Sequence, residues 1–334
     1  MSPFSIAAVR RVGVVGRSHT PGIAKPLKRL AAFLAGRGLA VSMETETAAL
    51  TKLPGIEAVE LARLGDTIDV AIVVGGDGTM LSVARAMAPK HVPLIGINQG
   101  RLGFLTDIAL DDMETALSAM LEGRIALEER IMLTAAVLRD GGESFSHLAF
   151  NDVVVNRGSL GGMIDLAISI GDSYVCDLRA DGVIIATPTG STAYAMSANG
   201  PIVHPSLRAW SLVPISPHAL TNRPIVVGDN EEVTIKITGA REATMHWDGH
   251  YHHELSEGDR ILVKAAPFSV RLLHPEGYDY FAMLREKLHW NATPLSGIRD
   301  QVSGIRDQAS GIRYQGSGIR HQGSGIRKRS TTPK

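Results

Sequence analysis

The feature that most constrains this chain is an apolar strand that runs straight into glycine. Residues 69–74 are apolar after a leading aspartate and end at Gly75-Gly76-Asp77-Gly78. Residues 79–88 follow with Met80, Leu81, Ala84 and Met87 on one helical face. A strand handed to a helix through a glycine turn is part of a βαβ unit, and the pattern recurs. Residues 11–16 (RVGVVG) precede a helix-spaced set, Leu27, Leu30, Ala31 and Leu34, and then a second apolar run at 39–43. Residues 92–97 read as a further strand and 110–122 as a further helix. Continuous apolar strands alternating with amphipathic helices require a parallel sheet covered on both faces. The expected fold class is therefore an α/β N-terminal domain with a Rossmann-like parallel sheet over residues 1–125.

Beyond residue 125 the period changes from helical to alternating. Val233, Ile235 and Ile237 alternate with polar neighbours, as do Ile261 and Val263, and turns fall at Gly141-Gly142, Gly228-Asp229 and Gly258-Asp259. This predicts a β-rich domain over 126–275, interrupted by one helix near 191–199. Residues 276–295 are expected to return to the first domain, with a late helix over 278–290. From Ser296 the motif Ser-Gly-Ile-Arg recurs at 303, 310, 317 and 324. One apolar residue per seven, with glycine in each repeat, opposes a coiled coil, so 296–334 reads as a disordered basic tail.

Charge narrows the partners. The 334 residues carry 34 Lys+Arg and 34 Asp+Glu, for a net charge of zero. That zero divides into +6 over residues 296–334 and −6 over the rest. An acidic body argues against a nucleic-acid substrate, because phosphate backbones are gripped by excess Lys and Arg. The single cysteine, Cys176, allows no intramolecular disulfide. There is no signal-peptide pattern at the N-terminus and no run of about 18 apolar residues. A cytoplasmic protein without a membrane span is expected.

Three segments can carry chemistry. In the GGDG segment, glycines let a ligand approach the backbone and the helix start offers free N–H groups to an anion. Phosphate would repel a carboxylate there, so Asp77 fits a base or a metal partner. Read alone, the segment serves equally as a turn and a helix cap. Residues 177–194 form a charged loop, a strand and a hydroxyl-rich turn. Their Thr187, Thr189, Ser191, Thr192 and Tyr194, with Arg179 and Asp181, suit phosphate and ribose, although such clusters also occur in plain turns. Asn151-Asp152 head an apolar strand and fit a ribose, a base edge or a turn cap. Walker and GxGxxG patterns are absent.

Taken together and in order, these segments and Gly96-Ile97-Asn98-Gln99-Gly100-Arg101-Leu102-Gly103-Phe104-Leu105-Thr106 resemble the bacterial NAD kinase family over residues of about 10 to 290. The resemblance implies ATP-dependent phosphorylation of the adenosine 2′-hydroxyl of NAD, with a divalent cation, Mg²⁺ by expectation. It makes Asp77 the general base and places Asp77 and Gly78 at the nucleotide. It also implies NAD contacts from Asn151, Asp152, Arg179, Asp181, Thr189, Thr192, Ala193, Tyr194, Ala195, Met196 and Ser197. The family more often has Asn-Glu where this chain has Asn151-Asp152. After Asp248-Gly249 it usually has Gln where this chain has His250, which leaves a His250 contact open. Members form homodimers or homotetramers, with neighbouring subunits sometimes completing the site.

Two further sets are set aside. His246, His250, His252 and His253 have metal-like spacing, but on an alternating strand the first three share one face and His253 takes the other, as surface histidines do. Ser191 lacks a nucleophile-elbow context and reads as a cap for the following helix. Two rival functions stand beside the kinase reading. One is a lipid or sugar kinase with the same GGDG loop, and the other is a non-catalytic NAD(P)-sensing protein.

Overall fold

The computed structural model describes residues 5–17, 20–100, 103–158 and 161–290. Arg101 and Leu102 of the resembling loop and the repeats from Ser296 lie outside the described residues.

Five parallel strands build the N-terminal layer: β1 (Arg11–Gly16), β2 (Ala40–Glu44), β3 (Glu57–Val59), β4 (Val70–Gly75) and β5 (Leu94–Asn98). Their order is β5-β4-β1-β2-β3, with short β6 (Ile108–Ala109) beside the end of β5. Helices α1 (Ala24–Gly36), α2 (Thr45–Thr51), α3 (Leu61–Leu64), α4 (Asp77–Met87) and α5 (Met113–Leu121) connect them. Strand alternation sends Val12, Val14, Ile72 and Val74 toward Leu27, Leu30 and Leu34 of α1. It sends Val15, Ala71 and Val73 the other way, toward Met80, Ala84 and Met87 of α4. Each fully buried side chain of this size contributes roughly 1.5–3 kcal/mol. Helix α1 begins only after residues 21–23, which Gly22, at φ +80°, holds in a turn.

Antiparallel strands make up the rest: β7 (Ile125–Arg139), β8 (Gly142–Ala149), β9 (Asp152–Arg157), β10 (Ile164–Ile170), β11 (Ser173–Ala180), β12 (Gly182–Ala186), β13 (Ala209–Ile215), β14 (Ile225–Gly228), β15 (Val233–Gly239), β16 (Ala243–Trp247), β17 (Tyr251–Leu255) and β18 (Arg260–Pro275). One sheet runs β14-β13-β12-β9-β16-β17. The other strands extend the N-terminal sheet through β18. Strand β18 pairs antiparallel with β15 at Ile261 and Val263 and parallel with β5 at Leu272↔Leu94. Val153, Val155, Val183, Ile185, Met245 and Trp247 of the first sheet pack against Leu166, Ile168, Ile235, Ile237 and Ile261 of the second.

The expected helix near 191–199 is a 3₁₀ turn at Thr189–Thr192 and a four-residue helix, α6 (Tyr194–Ser197). Ala193, at ψ −128°, breaks the helical path between them. The described residues up to Tyr280 form one compact unit, and those from Phe281 onward carry most of helix α7 (Tyr280–Leu288). Arg285 and Lys287 lie in the last turn of α7, where positive charge complements the helix dipole. No helix among the described residues is long and apolar enough to cross a membrane.

Candidate active site

Asp77 is the first residue of α4, at the carboxyl ends of β4 and β5. In open parallel sheets this is where ligands bind. Its carboxylate accepts the backbone N–H of Phe104 at 2.9 Å and of Leu105 at 3.0 Å, and Thr106 Oγ1 stands 3.5 Å away. Asn98, at the end of β5, shapes this loop: its Nδ2 donates to Thr106 Oγ1 at 2.8 Å and its Oδ1 accepts the Gly100 N–H at 2.6 Å. Gly103 has no alternative here. A Cβ at 103 would overlap Asp77 Oδ1 and Thr106 Oγ1. Gly76 and Gly78 face open space, which leaves the start of α4 approachable.

Gly76, Asp77 and Gly78 line a cleft of about 640 Å³ that also takes in Val15, Gly16, Arg17, Glu44, Glu46, Thr79, Ser82 and His250. Glu44 is already committed, since its carboxylate caps α2 by accepting the N–H groups of Glu46 and Thr47 and the Thr47 hydroxyl. Glu46 and Asp77 are then the carboxylates facing the cleft whose oxygens remain open to a cation. Among the described residues no group of three or more His, Cys, Asp or Glu is poised to cage a metal. The donor set fits a hard cation that keeps its waters and enters with phosphates, held by one or two carboxylates.

A second cavity, about 380 Å³, is lined by Asn151, Asp152, Val154, Asn156, Ala193, Tyr194, His246, Asp248 and Gly249. Two sequence-distant segments meet here. The Thr187 N–H donates to Asn151 O at 2.9 Å, and Thr187 Oγ1 donates to Phe150 O at 2.7 Å. Gly190 sits so close to Asn151 that a Cβ would overlap the Asn151 carbonyl. Asp152 is 5% exposed. Burial pushes its carboxyl up to about 7, with the nearby Asp248 carboxylate adding to the rise.

Of the expected hydroxyls, several are spent on the fold. Thr192 Oγ1 donates to Thr189 O at 3.2 Å. Ser191 is no helix cap: its Oγ donates to Pro188 O at 2.6 Å and accepts the Val203 N–H at 2.9 Å, tying the turn to the following segment. Thr189 and Ala195 are buried, Met196 is half-buried, and Tyr194 and Ser197 are exposed. Tyr194 and Ser197 also line a neighbouring hollow with Asn222 and Arg223. Arg179 and Asp181 line neither of the first two cavities. Asp181 precedes Gly182, which pairs with Asn156, whereas Asp152 pairs with Ala186 at the opposite end of β12. Five residue steps of strand separate them, about 16 Å at roughly 3.3 Å each. Arg179 is exposed near Asp165, and Asp181 pairs with Arg157 at 2.8 Å.

The histidines differ from a simple strand face. His246 and His252 are cross-strand partners, with ring centroids 6.3 Å apart. Asp248 and Gly249 have φ of 50° and 67°, so the β16–β17 connection is a tight turn and His250 leaves the strand register. It faces the Asp77 cleft instead, a placement that strand periodicity could not supply. His253 stacks on Phe145 at 5.0 Å on the other face.

Sequence reasoning also missed two buried charged groups. Arg85 of α4 is 7% exposed and pairs with Asp248. His274 bridges Asp107 at 2.9 Å and Glu128 at 3.1 Å, with Tyr278 stacked on its ring at 3.8 Å. Arg130 donates to Glu128 from Nε and Nη2. A charged residue at an apolar-face position is the signal that marks both.

Comparison with known proteins gives a consistent result. Residues 12–125 match the ATP-NAD kinase N-terminal domain and 150–275 the ATP-NAD kinase C-terminal domain. The NAD kinase of Nitrosospira multiformis is 50% identical over 288 residues, 86% of this chain and 98% of that protein. The NAD kinase of Burkholderia multivorans is 51% identical over 280 residues, 84% and 93% respectively. Among solved structures, yeast NADH kinase complexed with NADH shares the fold at TM-score 0.79 and 24% identity, covering 85% of this chain and 89% of that one. An NAD kinase from Archaeoglobus fulgidus in complex with ATP matches at TM-score 0.66 and 27% identity, covering 84% and 98%.

Proposed function

The chain belongs to the NAD kinase family, and from that premise we propose that it transfers the γ-phosphoryl group of ATP to the adenosine 2′-hydroxyl of NAD, with Asp77 taking the hydroxyl proton. The observation that carries this reading is the Asp77 carboxylate itself, fixed by two backbone N–H groups at the mouth of a glycine-lined cleft. Those bonds occupy part of its acceptor capacity and leave lone pairs for an incoming hydroxyl. Phosphoryl transfer asks mainly for in-line positioning, charge neutralisation and a proton acceptor. The open N–H groups at Gly76–Gly78 suit the phosphates, and a Mg²⁺ ion arriving with ATP supplies charge neutralisation when bound, with Asp77 and Glu46 as its carboxylate neighbours.

Asn151 and Asp152, with Ala193 and Tyr194 across their cavity, fit the adenosine part of NAD. When protonated, Asp152, whose carboxyl burial raises to about 7, can donate a hydrogen bond as well as accept one, which suits a ribose or base edge. Thr189, Thr192, Ala195, Met196 and Ser197 belong to the turn and short helix that carry Ala193 and Tyr194, and would act on NAD through them. Residues 1–125 thus serve the phosphates and 126–275 the dinucleotide. Arg179 and Asp181 gain a role in the homodimer or homotetramer we infer, where they face a neighbouring subunit's ligand. A cytoplasmic enzyme fits the single Cys176.

Purified full-length protein given NAD, ATP and Mg²⁺ should form NADP. Asp77→Asn should keep NAD affinity within about threefold and lose about 10²- to 10⁴-fold in turnover. Parent-level turnover in that variant would refute the base assignment.

A further inference from the structure

One buried carboxylate touches both sides of the candidate active site. Asp248, at the β16–β17 turn, accepts the backbone N–H of Phe150 at 3.0 Å, of Asn151 at 2.7 Å and of Asp152 at 3.2 Å. Its own N–H donates to Asp152 O at 3.0 Å. The segment that carries Asn151 and Asp152 is therefore wrapped around this one side chain. The remaining face of the carboxylate is paired with Arg85. Arg85 lies on α4, eight residues beyond Asp77, or about 12 Å along the helix axis. Its guanidinium is held on two other sides, by Ser82 Oγ at 3.2 Å and by the Tyr251 ring at 5.3 Å. Both charged side chains are nearly excluded from water, with exposures of 6% and 0%.

A buried pair of this kind is poor evidence for stability, because desolvation offsets much of the attraction, whereas fixing one arrangement among several is its better-attested use. Here the arrangement fixed is the register between the helix that starts at Asp77 and the segment that holds Asn151 and Asp152. We propose that Arg85 and Asp248 are positioning residues that set the spacing between the phosphate-side and dinucleotide-side halves of the site, so that the acceptor hydroxyl meets Asp77 in line. Neither touches the reacting atoms. The proposal rests on the functional reading above, and it explains why an arginine occupies the apolar face of α4 between Ala84 and Ala86.

In-line transfer is steep in distance, so loosening this register costs turnover more than binding. Full-length Arg85→Met, Arg85→Lys, Asp248→Asn and the Arg85→Met/Asp248→Asn double variant should be assayed for kcat and, without ATP, for NAD affinity. Arg85→Met is expected to lose at least 10-fold in kcat with NAD affinity within threefold of the parent. Arg85→Lys, which keeps the charge, should recover at least a third of the lost turnover. Asp248→Asn keeps an oxygen for the three N–H groups and should lose kcat as Arg85→Met does. The double variant should fall no further than threefold below Arg85→Met, because a shared pair is lost once. If Arg85→Met does not fold, the double variant, which leaves no unpaired buried charge, carries the same expectation. The proposal is overturned if kcat in Arg85→Met, or in the double variant taking its place, stays within threefold of the parent. It is equally overturned if NAD affinity falls as far as kcat does. Asp77→Asn measured alongside keeps the two readings apart: parent-level turnover there refutes the base assignment, while the Arg85 results still report on the spacing.

Discussion

Asp77 and Asp152 are the same side chain in opposed surroundings. Asp77 is half-buried at a helix start and is oriented by two backbone N–H groups from a single loop. Asp152 is buried beside a second carboxylate, and burial raises its carboxyl to about 7. The first environment aims a carboxylate. The second taxes a charge and favours a proton. In the proposed reaction one carboxylate takes a proton and the other recognises hydroxyls, and the two differ in that backbone geometry orients the first while desolvation acts on the second.

The contrast can be broken at either end, and the largest effect is expected at Asp77. Gly103→Ala places a methyl group on the Asp77 carboxylate. It should lower kcat by roughly 10²-fold, within the range assigned to one general base, while NAD affinity measured without ATP stays near the parent value. Asp152→Asn should act the other way. KM for NAD should rise by about 10-fold, or ~1.4 kcal/mol, the range of one hydrogen bond, with kcat changed less than threefold. The same variant sharpens the comparison through stability. A carboxyl whose folded value lies at about 7, above its unfolded 3.8, favours the folded state below pH 3.8 relative to higher pH, and that advantage is lost as pH rises through about 7. Thermal melts at pH 8 should therefore show Asp152→Asn gaining roughly 3–6 °C on the parent, a gain absent at pH 3.5.

His274 offers a milder test. Burial pushes its ring down, but hydrogen bonds with Asp107 and Glu128 outweigh this and hold it above its usual value. Glu128 is brought down to about 2, its burial outweighed by His274 and Arg130. The histidine's contribution is complete below pH 6.5 and lost as pH rises through its folded value. That of Glu128 is complete above pH 4.5 and lost toward pH 2. The cluster is strongest between about pH 4.5 and 6.5. Melts of His274→Gln against the parent should show a gap at pH 5.5 that narrows by roughly 3 °C at pH 8.5. Least of all should follow from Arg157→Ala, which opens the exposed pair with Asp181. The expected change in Tm is about 1 °C, because solvated pairs contribute roughly 0–1 kcal/mol.

Much of the fold was legible because strand and helix periods differ and because glycines mark where one passes to the other. The parallel layer and its burial on both faces follow from Val12, Val14, Val15, Ile72 and Val73. Asp77 was legible for the same reason, as a carboxylate that its glycine neighbours leave without a packing role. The clamp from Phe104 and Leu105 was not, since backbone N–H groups carry no residue signature. Nor was the position of His250, which depends on two left-handed residues in the preceding turn. The separation of Arg179 and Asp181 from Asp152 depends on strand register, and alternation alone does not fix it. Arg85 and His274 pair with residues 163 and 146 or more positions away, beyond the reach of any local pattern.

Strand β18 has a consequence for how the chain is made. It supplies Leu272 as the neighbour of Leu94, so one edge of β5 stays without that partner until nearly the whole catalytic region has left the ribosome. During synthesis the parallel layer waits with exposed strand edge and apolar surface, a state prone to pairing with other chains. The two halves of the fold therefore share one folding event, and a fragment ending near residue 125 should emerge as an aggregating species rather than as a free-standing domain.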